Sequence, residues 1–210
     1  MSILLEKGSV ILFQGDSVTD CGRSREDTTD LGPGYPGKIG ALLKTLYADR
    51  GYTVINRGVS GNRVKDLQER WQEDCLQLHP QLVSILIGIN DCWRRYDSND
   101  PTSAETYEQG YRSILARTKE IGAQIVILEP FVLPYPEDRK TWRVDLDPKI
   151  QAVCKLACEF GAHYIPLDGI FAVKMIADGP QYYSADGVHP ADAGHALIAR
   201  EWMKTVFNWL

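Results

Sequence analysis

Short runs of consecutive apolar positions alternate along the chain with longer stretches whose apolar positions recur every three or four residues. Ser9–Phe13 is apolar on successive positions, the pattern of a strand covered on both faces. Thr53–Asn56, Leu82–Ile87 and Gln124–Leu128 read the same way. His163–Leu167 is a fifth candidate, and its Pro166 points to a sheet edge or a bulge. Between these runs, Lys38–Asp49 places Ile39, Leu42, Leu43 and Leu46 on one helical face and stops at Gly51. Val64, Leu67, Trp71, Cys75 and Leu78 define a second helix, stopped by Pro80. Tyr107, Tyr111, Ile114 and Leu115 define a third, stopped by Gly122. Ile150–Phe160 ends at Gly161 and Ile170–Ile176 at Gly179. Ala191–Trp209 is the last helix, with Pro190 at its first helical position. Strand–helix alternation of this kind predicts a parallel sheet with helices on both faces. In such folds ligands bind beyond the carboxyl ends of the strands, here the turns after Phe13, Asn56, Ile87 and Leu128.

Composition narrows the function classes more than the fold. A chain of 210 residues is expected to form one domain over its whole length, 1–210. Lys and Arg number 23 against 28 Asp and Glu, a formal charge of −5, so the basic footprint of a nucleic-acid binder is missing. No run approaches the ~20 apolar residues of a membrane span. The early apolar stretches Ile3–Leu5 and Val10–Phe13 are split by Glu6 and Lys7, unlike a signal peptide, and the chain reads as cytoplasmic. Five cysteines, an odd number, suggest no disulfide framework, and Cys154 and Cys158, four apart on a helix, read as core packing.

The strand-end turns carry chemically loaded residues: Gln14-Gly15-Asp16-Ser17, then Gly58-Val59-Ser60-Gly61-Asn62, then Gly88-Ile89-Asn90-Asp91. Asp186-Gly187-Val188-His189 precedes the last helix. Acyl transfer needs a nucleophile, a base within hydrogen-bond reach, an orienter for that base, and donors aimed at the developing oxyanion. Ser17, His189 and Asp186 supply the first three types. The N–H groups of Ser17 and Gly61 and the Asn90 amide supply the donors, and glycine at 61 lets a substrate oxygen approach.

Taken in order, Gly15-Asp16-Ser17, Gly61, Gly88-Ile89-Asn90-Asp91 and Asp186-x-x-His189 resemble the four blocks of the SGNH (GDSL-type) hydrolases, over nearly the whole chain. Val18 stands where the family's first block usually has leucine. The segment from Gly88 to Asp97 is most similar to the acetyl-ester hydrolases acting on acetylated xylan. The resemblance implies a flavodoxin-like three-layer α/β/α sandwich with a central, mostly parallel five-stranded sheet. It also implies a Ser17–His189–Asp186 triad, an oxyanion hole from Ser17, Gly61 and Asn90, and neither metal nor cofactor. The expected partner is a small ester or acetylated oligosaccharide; a homo-oligomer is left open.

Other readings compete at several positions. Ser60 reads as a turn residue, and Asn62 as the cap of the following helix. Asp192 and His195 repeat the Asp-x-x-His spacing, but inside a helical pattern, so His195 is expected to pack behind the site. Asp186, His189, Asp192 and His195 together form a weaker metal-ligand reading. Gly32-Pro33-Gly34-Tyr35-Pro36-Gly37-Lys38 has the spacing of a phosphate loop. Two prolines, Ile39 in place of Ser/Thr and the missing strand argue instead for a turn leading into a helix after Gly37, with an exposed Tyr35 at the pocket rim. Trp93 and Arg94 divide evenly between helix packing and a substrate wall. Asp16 and Asp91 adjoin the site, with Asp16 a candidate substrate contact and loop positioning the favoured role for both. Glu129 is undecided. The alternatives to an acetylesterase are a lysophospholipase or thioesterase, a carbohydrate-binding protein on an inactive hydrolase fold, and a metal-dependent hydrolase.

Overall fold

The structure, a computed structural model, describes residues 3–209; the outermost residues of the 1–210 span lie outside it. Five strands form one sheet: β1 (Val10–Gly15), β2 (Thr53–Asn56), β3 (Leu82–Leu86), β4 (Gln124–Leu128) and β5 (His163–Ile165). Their order is β2-β1-β3-β4-β5 and every pairing is parallel. This is the flavodoxin-like order, whose ligand crevice opens where β1 meets β3. β5 is an edge strand, and Pro166 lies just past it, ending the strand and preceding a helix.

Alternation along the strands divides the core in two. Ile11, Phe13, Leu82, Leu86, Val126 and Leu128 face one layer; Leu12, Val83, Ile85, Ile125 and Ile127 face the other. The first layer is closed by α2 (Tyr35–Leu46), α7 (Leu167–Asp178) and α9 (Asp192–Phe207), which bring Ile39, Phe171 and Trp202. The second is closed by α3 (Val64–Asp74), α5 (Ala104–Glu120) and α6 (Arg143–Phe160), with Leu67, Trp71, Tyr111 and Leu156. The remaining helices are short: α1 (Ser17–Asp20), α4 (Ile89–Asp97) and α8 (Pro180–Tyr183). No helix among the described residues is long and apolar enough to cross a membrane.

Several element ends differ from the expectation. β1 runs on to Gly15, because Gln14 and Gly15 pair with Ile85 and Leu86, while Ser9 bonds back to Glu6. α2 starts at Tyr35, with Pro36 in its first turn, where a missing N–H costs nothing. α9 starts at Asp192, which leaves Pro190 in the preceding loop. α6 starts at Arg143, seven residues before the expected Ile150, despite Pro148 inside it. Its first turns are held by a buried pair, Lys149 Nζ to Asp145 Oδ2 at 2.7 Å, and by Leu146 in a small third cluster with Trp142 and Val188. Cys154 and Cys158 are exposed rather than packed, because the apolar face of α6 is carried by Val153, Leu156 and Ala157.

Candidate active site

β1 delivers the chain into Asp16, whose carboxylate accepts from the Val18 N–H at 3.0 Å and caps α1. Ser17 is therefore the first residue of a helix whose start is pinned at the carboxyl end of the sheet. Its Oγ lies 2.9 Å from His189 Nε2, and His189 Nδ1 lies 2.6 Å from Asp186 Oδ2. A carboxylate on Nδ1 fixes the proton there and leaves Nε2 to accept from the serine hydroxyl. Burial pushes the Asp186 carboxyl up, but bonds from the His189 ring and from the His189 and Val188 N–H groups outweigh it and hold the group below the usual range. The Asp186 bond raises His189 above its ordinary value, against the effect of burial.

Local chain geometry explains why this pair meets. Asp186 Oδ1 accepts from the N–H groups of Val188 and His189 at 2.9 and 2.8 Å and from Ser184 Oγ at 3.1 Å. An aspartate that binds its own downstream N–H groups folds the loop back on itself. That turn points Oδ2 at the imidazole three residues on. A bridge between Ser184 and Pro190 and a bond from Ala191 N–H to Tyr183 O close the loop at its base.

Beside the end of β1, where Val59 N–H donates to Gly15 O at 3.0 Å, Val59–Asn62 forms a turn closed by Asn62 N–H to Val59 O at 3.1 Å, with Gly61 at φ +83°. Glycine adopts that angle readily, and the side where a Cβ would stand is open. Asp20 holds the turn in place through the Ser60 N–H and hydroxyl at 2.9 and 2.6 Å. Asn90 follows β3 in α4, which starts from Gly88 at φ +136°. Asn62 O accepts from Asn90 Nδ2 at 3.1 Å, and Asn90 Oδ1 accepts from Arg94 Nη2 at 3.4 Å. One Asn90 N–H is thus committed to orientation and the other remains for a ligand.

The two motif carboxylates beside these groups are inward supports. Asp91 is fully buried and accepts from Val64 N–H at the start of α3, at 3.1 Å. Burial pushes both Asp16 and Asp91 up to about 7. Asp16 is 1% exposed, which corrects the expectation that it touches substrate. Tyr35 is corrected too. It is fully buried and its hydroxyl bonds Thr19 Oγ1 at 2.9 Å, because helix α2 begins at Tyr35 and turns the ring into the core. Asn62 does not cap α3; Arg63 is the cap residue, and Asn62 Oδ1 accepts from Arg70 Nε instead. Glu129 accepts from Tyr164 Oη and Asp168 N–H and ties β4 to the start of α7.

Trp93 comes to the site: its ring centre lies 5.8 Å from that of His189. Arg94 reaches it through the Asn90 amide and over the Trp93 ring, 5.8 Å from its centre. Asp192 and His195 do not join; Asp192 pairs with Lys38 at 2.5 Å, and His195 lies buried against Tyr35 and Cys21. No group of three or more potential metal ligands gathers among the described residues. Arg139, which no sequence motif marks, donates from Nε to the Asp186 carbonyl at 3.0 Å. It sits in a short 3-10 turn, Glu137–Trp142, with no spacing that would have singled it out.

The comparisons with known proteins converge on one family. The model of the GDSL-like lipase/acylhydrolase family matches residues 13–197. An acetylxylan esterase of Geobacillus stearothermophilus is 35% identical, over 97% of this chain and 96% of its own. A solved structure of an acetyl-xylooligosaccharide esterase from that organism superposes with a TM-score of 0.89 at 33% identity, covering 96% and 95% of the two chains. An α/β hydrolase from the metagenome of Lake Arreo superposes with a TM-score of 0.89 at 30% identity, covering 97% of each chain. With the family's model spanning most of the sequence and its fold reproduced throughout, the chain belongs to the GDSL-like lipase/acylhydrolase family and is a carboxylic ester hydrolase.

Proposed function

We propose that the chain is a serine acetylesterase acting on O-acetyl groups of carbohydrates, with acetylated xylo-oligosaccharides as the substrate class. The hydrogen-bonded chain from Ser17 through His189 to Asp186, opening beside Trp93, carries this reading. The side chains of His189 and Asp186 are 45% and 39% exposed, so a large alcohol can extend into solvent while the acyl group enters. The relative from Geobacillus has been solved as catalytic mutants in which a serine, an aspartate or a histidine is replaced by alanine, the same three residue types.

In this mechanism Ser17 Oγ attacks the ester carbonyl as His189 Nε2 takes its proton, and Asp186 steadies the imidazolium. The N–H groups of Ser17 and Gly61 and the free Asn90 N–H bind the oxyanion. Collapse of the tetrahedral intermediate passes the proton from His189 to the leaving sugar hydroxyl. Water then attacks the acetyl-enzyme by the same route, releasing acetate. The Trp93 ring, tilted 53° against His189 with 5.8 Å between ring centres, closes the acyl side to little more than a methyl group.

Turnover of acetyl, butyryl and octanoyl esters, alongside acetylated xylo-oligosaccharides, tests the reading. Rates are expected to fall steeply from acetyl to butyryl, and Trp93→Ala to relax that fall. A hydrophobic pocket built for long chains gains about 1–3 kcal/mol per methylene, so it would give the opposite trend. Faster turnover of octanoyl esters by the native protein would replace the acetylesterase with a lysophospholipase or thioesterase.

A further inference from the structure

The loop between β4 and α6, residues 129–142, packs under the Asp186–His189 turn. Leu133 N–H donates to Gly187 O at 2.8 Å. A Cβ on Gly187 would sit 2.1 Å from Tyr135 O, so the two backbones are in direct contact. Arg139 belongs to this loop, and its side chain is only 13% exposed. Its guanidinium lies 4.2 Å from the ring centre of Trp142 and 5.4 Å from that of Trp93. Trp142 stacks in turn on Tyr96, at 5.1 Å and 10°. Tyr96, Trp142, Arg139, Trp93 and His189 thus form a continuous column from the surface to the imidazole. One guanidinium nitrogen, Nε, donates to the Asp186 carbonyl at 3.0 Å, and Nη1 pairs with Asp138.

We infer that Arg139 is a positioning residue for ester hydrolysis: packed over Trp142 and against the neighbouring Trp93, it holds the Asp186–His189 turn over Ser17 and keeps a positive charge beside the imidazole. A planar guanidinium suits this place because it stacks on two indoles while directing an in-plane N–H at a carbonyl. The inference rests on the Ser17–His189–Asp186 reading. It adds a second hold on the turn, from outside the 184–190 loop, and an electrostatic role. A cation near His189 disfavours the imidazolium, so the base stays neutral, and able to accept the serine proton, at lower pH. The charged and titratable groups around His189 are Asp186 from its own loop, Asp16 from the β1–α1 junction, Arg139 from the 129–142 loop, Arg94 across Trp93, and His195 from α9. Asp186 and Asp16 favour the charged ring; Arg139 opposes them.

The experiment is the pH profile of acetyl-ester kcat/KM for the native protein, Arg139→Met, Arg139→Lys and Asp138→Asn, with Ser17→Ala as control. The acid limb reports the free-enzyme base. Arg139→Met is expected to lower kcat by about 10–100-fold with KM within about twofold, since the turn loses registry. Its acid limb is expected to move up by about half a pH unit or more. Arg139→Lys restores the charge, so its limb should return to the native position while kcat recovers only in part. Asp138, largely exposed, loses a negative charge on substitution by Asn, and the limb should move down slightly. Should Arg139→Met fail to fold, the partial kcat loss with a native limb in Arg139→Lys and the downward limb in Asp138→Asn remain measurable, and a native kcat in Arg139→Lys would overturn the positioning role. An acid limb unmoved in Arg139→Met, or moved upward in Asp138→Asn, overturns the inference even if stability falls. Persistent activity in Ser17→Ala would instead remove the underlying triad reading.

Discussion

Two stretches of this chain carry the same Asp-x-x-His spacing within ten residues, and the fold gives them opposite environments. Asp186 and His189 lie in the loop before α9; Asp192 and His195 lie in its first turns. In the loop, the aspartate is folded back by Val188 and His189 N–H groups, and its second oxygen meets the imidazole at 2.6 Å. On the helix, the i, i+3 relation puts both residues on one side but directs each outward along its own radius. Asp192 extends into solvent, its side chain 87% exposed, while His195 enters the core at 5% exposure. There its Nδ1 accepts from Tyr35 N–H, the first of α2, at 3.2 Å, and its Nε2 faces Cys21 Sγ at 3.3 Å. One histidine is raised above its ordinary value by a carboxylate partner. The other is pushed down to about 4, chiefly by burial and further by Lys38. Backbone conformation, not spacing, decides which pair has a base to offer.

The sharpest way to break this contrast is to remove the two imidazoles separately. His189→Ala and Ser17→Ala are each expected to reduce kcat by about 10⁴–10⁶, and the double variant to lose little more, because such residues act as a unit. His195→Ala should keep most of the native kcat while lowering the unfolding midpoint. Equal losses in kcat from the two histidine variants would show that the helical pair takes part in the chemistry. The carboxylates give the next contrast. Asp186→Asn keeps the shape but no longer fixes the Nδ1–H tautomer, and a loss of about 10⁴ in kcat is expected. Asp192→Asn removes a solvent-facing ion pair with Lys38 and should leave kcat within about twofold, as for exposed pairs generally. Steady-state kinetics on an acetyl ester reads both. A smaller effect tests the donors that face the loop pair: Asn90→Ala should lower kcat by about 10²–10³ with a lesser change in KM. A change confined to KM would assign Asn90 to substrate binding.

The five strands and their parallel pairing were legible because buried parallel strands are apolar on both faces, a pattern with few alternatives at this length. Ser17, Asn90, Asp186 and His189 stood out in the sequence because their blocks, in order, resemble those of one hydrolase family, and the structure brings Ser17, His189 and Asp186 within hydrogen-bond reach of one another. What escaped was decided by tertiary contact. α4 has few apolar residues and is anchored by Ile89 and Cys92 against Trp142 and Val188, neighbours 50 or more positions away. The early start of α6 depends on a buried Asp145–Lys149 pair that outweighs Pro148. Tyr35 looked like an exposed turn residue because two prolines and three glycines flank it, yet the helix dipole end it heads is met by His195 from the far end of the chain. Asn62 and Arg139 act through backbone carbonyls, and such partners leave no trace in residue type.

That meeting of His195 with α2 leads to a pH dependence with a definite sign. Because Tyr35 N–H donates to Nδ1, the ring is held as the neutral tautomer with its proton on Nε2. A second proton on Nδ1 would oppose both that N–H and the positive end of α2. With His195 near 4 in the folded chain and about 6.5 in the unfolded chain, the unfolded state binds more protons between these values. The stabilisation is therefore complete above about 6.5 and is lost as pH falls toward 4, by about 2 kcal/mol between pH 7 and 5. Asp16 and Asp91, raised by burial to about 7, act in the opposite sense, since the folded state binds the extra proton from about 4 to 7. His189, also raised, contributes stability below its unfolded value that fades as pH rises through its folded one. The native slope is thus a sum of opposing parts, and the difference between the native protein and His195→Gln isolates one of them. Gln can still accept from Tyr35 N–H but does not titrate. Denaturant midpoints at pH 5, 6 and 7 should show the native protein losing stability relative to His195→Gln as pH falls, with curves nearly parallel above pH 7. If the difference is flat from pH 7 to 5, His195 is not held neutral by the start of α2, and the distinction between the two Asp-x-x-His pairs would rest on position alone.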